Sequence, residues 1–361
     1  PIELGGAPFA LATDMAVNIL ARDMGINLNS QARAYLLPCI AGHVGADTAG
    51  MVLAEEPYNH DEMTLLVDVG TNAEIVLGNR HRLVACSSPT GPAFEGAQIS
   101  CGQRAAAGAI ERIRIDPVTL EPRFQVISCE LWSDEEGFDA ATKKTGITGI
   151  CGSGIIEVVA EMYLAGVITQ DGVVDGSLAA TNSRIQPDGR TFSYEIMPST
   201  ETRGAVKIMQ NDIRAIQLAK AALYAGVKLL MQYQQVDKVD RIRFAGAFGS
   251  HIDVKYAMVL GLIPDCALNE VSSAGNAAGT GARIALLNEA SRVEIEQVVR
   301  SIEKIETAVE PDFQQLFIDA MAFPNKVDAF PELAKVVTLP PLKEASAESE
   351  NGQKKRRRRR G

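Results

Sequence analysis

The chain has 361 residues, 46% hydrophobic and 22% charged, enough apolar material for a sizeable core divided between two lobes of ordinary domain size. No apolar run approaches the roughly 18 residues a membrane-spanning helix needs, and six cysteines without a C-x-x-C pair argue against a disulfide framework or zinc site, which fits a reducing cytoplasm. The net charge of −10 conceals seven consecutive basic residues, Lys354 to Arg360. The remainder carries 28 basic against 45 acidic residues, a net of −17 that would repel phosphate backbones, so no nucleic-acid partner is expected despite the basic tail.

The chain opens on Pro1 with no basic-then-apolar leader before Gly5, which reads as a cut through a longer protein. Thr64 to Val69, Ala73 to Leu77 and Arg82 to Ser87 are short β-rich runs separated by Gly70-Thr71-Asn72 and Gly78-Asn79, the pattern of a three-stranded meander. A helix is expected over Ile155 to Leu164, after Gly152-Ser153-Gly154, and another over Asp212 to Tyr233, with Asp212 as N-cap. Val239 to Phe244 reads as a strand ending in Gly246-Ala247-Phe248-Gly249, and Ser272 to Leu287 starts in small residues and becomes a helix. From about Leu342 the sequence turns to Glu, Ala, Ser, Asn and Gln without apolar periodicity. The folded body is therefore expected over 1–340 and a disordered tail with a basic end over 341–361.

Chemistry concentrates in the turns. An apolar strand delivers Asp68 to its end, and Gly70 lets the chain reverse so that the amides of Gly70, Thr71 and Asn72 point together, which suits phosphate oxygens. Asp68 is then the candidate catalytic residue and the candidate metal residue, holding Mg²⁺ through its water shell. Gly152-Ser153-Gly154 before an apolar helix is a second anion-favouring turn. Gly246-Ala247-Phe248-Gly249 would admit a flat base or ribose, and Gly275, Gly279 and Gly281 precede the last of these helices. Asp47 either caps the helix beginning near Thr48 or takes a catalytic or metal role. Glu95 and Ser100 sit in a Gly/Pro-rich stretch, 90–103, that has the length of either a connector or a docking loop. Cys101 and Cys151 lack the C-x4-C-x2-C spacing of a plant-type cluster and read as small apolar residues, and the four histidines show no ligand spacing.

These segments resemble a known superfamily. LLVDVGTNAEIVLGN is similar to the second phosphate motif of the acetate kinase, sugar kinase, Hsp70 and actin ATPases, FAGAFGSHID to their adenosine motif, and IAGHVGADTAGMVLA to their connecting segment. The set that also includes GPAFEGAQISCGQRA, GICGSGIIE and AGNAAGTGA resembles, over roughly residues 1 to 335, the carboxy-terminal domain of the reductive activators of corrinoid proteins. The resemblance implies an α/β, two-lobed actin-like ATPase (RNase H-like) fold, with mixed sheets flanked by helices, a central nucleotide cleft and a lobe boundary between about 150 and 210. It also implies ATP and Mg²⁺ as cofactors, a corrinoid protein partner, a homodimer, and ATP-driven reduction of Co(II) to Co(I) by an electron from a [2Fe-2S] cluster. That cluster belongs to an amino-terminal ferredoxin domain; neither it, nor the family's middle domain, nor its first phosphate segment is read in this chain. Two other readings stay open: a small-molecule kinase or hydantoinase-like enzyme, and a non-catalytic actin-like scaffold.

Overall fold

A computed structural model describes residues 11, 13–200 and 204–341; the tail expected to be disordered after Leu342 lies outside them. In chain order, β1 (Val17–Leu20) and β2 (Arg33–Leu36) form a hairpin ahead of α1 (Ala46–Glu55), followed by β3 (Thr64–Val69), β4 (Ala73–Asn79) and β5 (Arg82–Ser88). Next come β6 (Ala109–Ile115), β7 (Pro122–Val126), α2 (Phe138–Thr142), β8 (Gly149–Ile150) and α3 (Gly152–Leu164). β9 (Ile185–Asp188), β10 (Thr191–Met197) and β11 (Val206–Ile208) precede the long α4 (Gln210–Gln234). The chain continues through β12 (Arg241–Ala245), α5 (Gly246–Gly249), α6 (Val254–Leu260), β13 (Val271–Gly275), α7 (Ala277–Leu287), α8 (Glu289–Ser301), β14 (Glu303–Lys304), α9 (Phe313–Asp319) and α10 (Pro331–Ala334).

The meander builds the central sheet, ordered β13-β12-β3-β4-β5-β14. β4 runs antiparallel to β3 and β5, whereas β12 and β13 continue parallel to β3. Both faces are covered, which is why these strands are apolar at nearly every position rather than at alternate ones. Leu65, Val67, Ile75, Leu77, Val84, Ile242 and Phe244 face the core that includes α4, while Leu66, Val76, Ala85 and Ala245 face α1, α7 and α8. This mixed sheet between helical layers is the actin-like ATPase arrangement. A second sheet, β7-β6-β8, packs on α3 and shares the larger core. Glu157 of α3, fully buried, ties the two together by accepting from Arg112 at 2.7 Å, Arg114 at 2.5 Å and the Ile113 amide at 3.0 Å.

Three expected boundaries shift for local reasons. α4 starts two residues earlier than expected, so Asp212 is not the N-cap but sits in the first turn, where its carboxylate accepts the Met209 amide at 2.8 Å. α3 begins at Gly152, absorbing the expected Gly-Ser-Gly turn into the helix itself. The small residues 271–275 form β13, pairing parallel with β12, before α7 begins.

Helices α1 and α7 cross closely enough that side chains are excluded between them. A Cβ on Gly50 would lie 2.9 Å from the Ala278 carbonyl oxygen, and one on Gly281 would overlap the Gly50 carbonyl. Gly281 therefore serves helix packing and not a ligand.

Candidate nucleotide site

Parallel pairing puts the ends of β3, β12 and β13 side by side, with Ala245 opposite both Asp68 and Gly275. The crevice beyond the carboxyl ends of parallel strands is where open α/β sheets bind ligands. Three of the four expected turns, 68–72, 246–249 and 275, thus meet at one edge. Gly246 has φ +78°, and a Cβ there would strike Asp68 Oδ1, so only glycine lets the backbone of α5 lie against that carboxylate. Gly249 folds back on β12: its Cβ would come within 2.8 Å of the Phe244 Cβ. Ala247 and Phe248 lie between these two glycines in α5.

The turn after Asp68 is held from outside. The Gly70 amide donates to the Asn72 carbonyl at 2.9 Å, so it is not available to a ligand as the sequence suggested. Thr90 Oγ1 lies 2.9 Å from the Gly70 carbonyl oxygen and 3.1 Å from that of Thr71, and the Gly91 amide donates to the Thr71 carbonyl at 2.8 Å. The Thr71 hydroxyl donates to Glu95 at 3.0 Å. Among the hydrogen bonds of the described residues, the Thr71 and Asn72 amides have no acceptor.

Carboxylates gather on the α1 side of this edge. Asp68 opposes Glu74 in the β3–β4 ladder, and Glu74 opposes Ser87, whose hydroxyl donates to it at 3.4 Å. Burial, then repulsion from Asp47, pushes the Asp68 carboxyl up. Burial, then Asp47 and Asp68, pushes Glu74 up to about 7, opposed by the Ser87 hydrogen bond. Asp47 is exposed in the first turn of α1, where Oδ1 accepts the Thr48 amide at 2.8 Å; the N-cap is Gly45. Beside it the Thr48 hydroxyl is buried with no hydrogen-bond partner. Glu74 was not singled out from sequence, although strand alternation across a three-residue turn places it opposite Asp68.

Such a cluster calls for a cation. Among the described residues no three His, Cys, Asp or Glu side chains are placed to hold a metal ion together, so the donor set suits a hydrated ion fixed by a carboxylate and ligand phosphates rather than a bare one. Free amides, a carboxylate and a close glycine backbone at one sheet edge fit a magnesium–nucleotide group.

The remaining sequence candidates have local partners. Gly275 has φ +58°, and the Asn276 side chain accepts the Gly279 amide at 2.8 Å, so Gly279 makes room for the α7 cap. Gly152, Ser153 and Gly154 open α3 against the second sheet: the Cys151 amide donates to the Ile110 carbonyl at 3.0 Å, and a Cβ on Gly154 would strike that same carbonyl. Ser153 is 8% exposed, its hydroxyl 3.3 Å from Cys151 Sγ. That turn is not part of the strand ladder that aligns the other three. Ser100 donates through both amide and hydroxyl to Asp212, at 2.8 and 2.9 Å. A cavity of about 630 Å³ bounded by Arg114, Asp116, Glu121, Arg123 and Asp134 opens on the second sheet, and none of the edge residues lines it.

The sequence model of the C-terminal domain of RACo, its ASKHA domain, matches residues 62–334. The chain belongs to the RACo family. The model of the RACo middle region matches residues 1–60, which corrects the expectation that this region is missing; no break in composition sets it apart from the ASKHA domain. Among curated relatives, the corrinoid activation enzyme RamQ of Eubacterium limosum is 31% identical over 91% of this chain and 54% of its own length. The [Co(II) methylated amine-specific corrinoid protein] reductase of Methanosarcina barkeri is 24% identical over 87% of this chain and 56% of its own length. A solved reductive activator for corrinoid, iron-sulfur protein superposes with a TM-score of 0.75 at 32% identity, covering 89% of this chain and 49% of that one. This RACo-family chain thus spans about half the length of the relatives it matches, and its ASKHA domain implies nucleotide binding.

Proposed function

We propose that this chain is the ATP-hydrolysing and partner-docking part of a reductive activator that returns a corrinoid protein from Co(II) to Co(I). The observation that carries the reading is the shared edge, where Asp68, the Thr71 and Asn72 amides, Gly246 and Gly275 meet in a chain of the RACo family. Magnesium, when bound, neutralises the facing charges of carboxylate and phosphate. Asp68 would orient its water shell, the two amides would donate to phosphate oxygens, and the α5 backbone would border the ribose or base. Asp47, beside Asp68, would help to hold the hydrated ion or the attacking water. The electron for cobalt would come from a [2Fe-2S] cluster upstream of these residues. Nucleotide would act by favouring one of two conformations of the body, which requires different affinities for the two.

On this reading the ATPase domain is two lobes with a boundary between about 150 and 210, and the chain works as a homodimer in the cytoplasm. No helix among the described residues is long and apolar enough to cross a membrane. The deciding experiment measures phosphate release from MgATP by the chain with and without a Co(II) corrinoid protein. Stimulation by the corrinoid protein is expected, together with a loss of at least about a hundredfold in Asp68→Ala at unchanged circular dichroism. Unchanged turnover in that variant removes the assigned phosphate site, and hydrolysis indifferent to any corrinoid protein removes the partner.

A further inference from the structure

We propose that Thr90 and Glu95 are positioning residues that hold the Gly70–Asn72 turn in a phosphate-accepting conformation. The inference rests on the nucleotide reading above and deepens it. A tight turn can point either its amides or its carbonyls at a ligand, and only the first receives an anion. In this chain the carbonyls of Gly70 and Thr71 are drawn away by a neighbouring segment, the start of the loop 90–103. The Thr90 hydroxyl, on a residue 5% exposed, sits within hydrogen-bond distance of both carbonyls, and the Gly91 amide takes Thr71 as well. With its carbonyls bound on that side, the turn leaves the Thr71 and Asn72 amides without an acceptor among the described residues.

Glu95 completes the arrangement. Its carboxylate accepts the Thr71 hydroxyl proton, which leaves the hydroxyl oxygen's lone pairs for a cation or its water. The loop that carries both residues is itself anchored at its far end, where Ser100 donates twice to Asp212, a carboxylate 2% exposed in the first turn of α4. The segment 90–103 is then a strut between α4 and the phosphate turn, a role neither its composition nor its Gly and Pro content discloses. A hydroxyl at 90 and an acceptor at 95 matter for phosphate binding; a bulky shape at these positions does not suffice.

The test compares MgATP with adenosine, which lacks phosphates, by equilibrium binding to the full chain. Thr90→Val, isosteric without the hydroxyl, is expected to weaken MgATP about tenfold and to leave adenosine within twofold. Thr90→Ser is expected to restore MgATP binding to within about threefold. Equal weakening of both ligands would mean general structural damage and overturns the proposal, as would unchanged MgATP binding. Because Thr90 is buried, the exposed Glu95 supplies a second arm. Glu95→Gln keeps an acceptor for Thr71 and is expected to bind MgATP at least as well as the parent, with Glu95→Ala several-fold weaker than Glu95→Gln. Equal binding by the two variants sinks the role of Glu95. Failure of the unmodified chain to bind MgATP would instead remove the nucleotide reading on which all of this stands.

Discussion

Strand pairing holds Asp68 and Glu74 side by side, and no ion pair among the described residues relieves either: burial, then Asp47, raises the pKa of Asp68, and burial, then Asp47 and Asp68, raises that of Glu74. Linkage gives the sign of the consequence. Glu74 keeps its proton in the folded chain up to about 7, whereas the unfolded chain loses it near 4.5. Between those values the folded state binds more protons, so the metal-free chain loses stability as pH rises through that window and levels off above it. Glu74→Gln should flatten the urea-denaturation midpoint between pH 5 and 7, the slope being at most that of one proton. A midpoint that rises over this range in the parent contradicts the assignment. Gly246→Ala tests the same cluster from α5. Its φ of +78° and the collision with Asp68 Oδ1 should reduce nucleotide affinity while far-UV circular dichroism stays unchanged.

At the level of elements, the edge depends on α1 and α7 staying in register, because α1 carries Asp47 and α7 continues directly from the Gly275 turn. The carbonyl of Gly50 occupies the space a Gly281 side chain would need. Gly281→Ala gains helix propensity yet forces backbone apart, and overpacking of this kind costs about 1–3 kcal/mol, to be read as a fall in the urea midpoint. The elements that were legible in the sequence are those whose cues are local. The β3–β4–β5 meander, α4 and the β12 strand announce themselves by turn residues and periodicity. By contrast, β6 carries Arg112 and Arg114, whose charges are answered by Glu157 more than forty residues later, so nothing nearby marks them as half-buried strand residues. For the same reason Asp68 and the three edge turns could be picked out individually, while Glu74, Thr90 and the Ser100–Asp212 pair could not. Their significance comes from ladder register and from a contact across 112 residues.

Across the whole molecule, the β1–β2 hairpin of the segment matching the middle region meets the ATPase portion at a polar joint that also grips the far end of α7. Arg292 of α8 donates to the Ala285 carbonyl at 2.6 Å and the Leu286 carbonyl at 3.1 Å, closing the carboxyl end of α7, and stacks 4.9 Å from the centre of the Tyr35 ring in β2. The Tyr35 hydroxyl donates to Glu296 at 3.0 Å, and burial followed by that carboxylate pushes the phenol up to about 12, so it remains a donor at any working pH. A helix that begins at the proposed nucleotide edge therefore ends against the guanidinium that holds the hairpin. Cation–π stacking contributes about 0.5–2 kcal/mol and demands a planar partner, and the two carbonyls need a fork of donors that an ammonium cannot reproduce. Arg292→Ala should accordingly raise amide exchange at 17–20 and 33–36 while β3, β4 and β5 keep their protection. Arg292→Lys should recover little of the loss, and full recovery by lysine would mean that charge alone, without stacking or the fork, docks the hairpin.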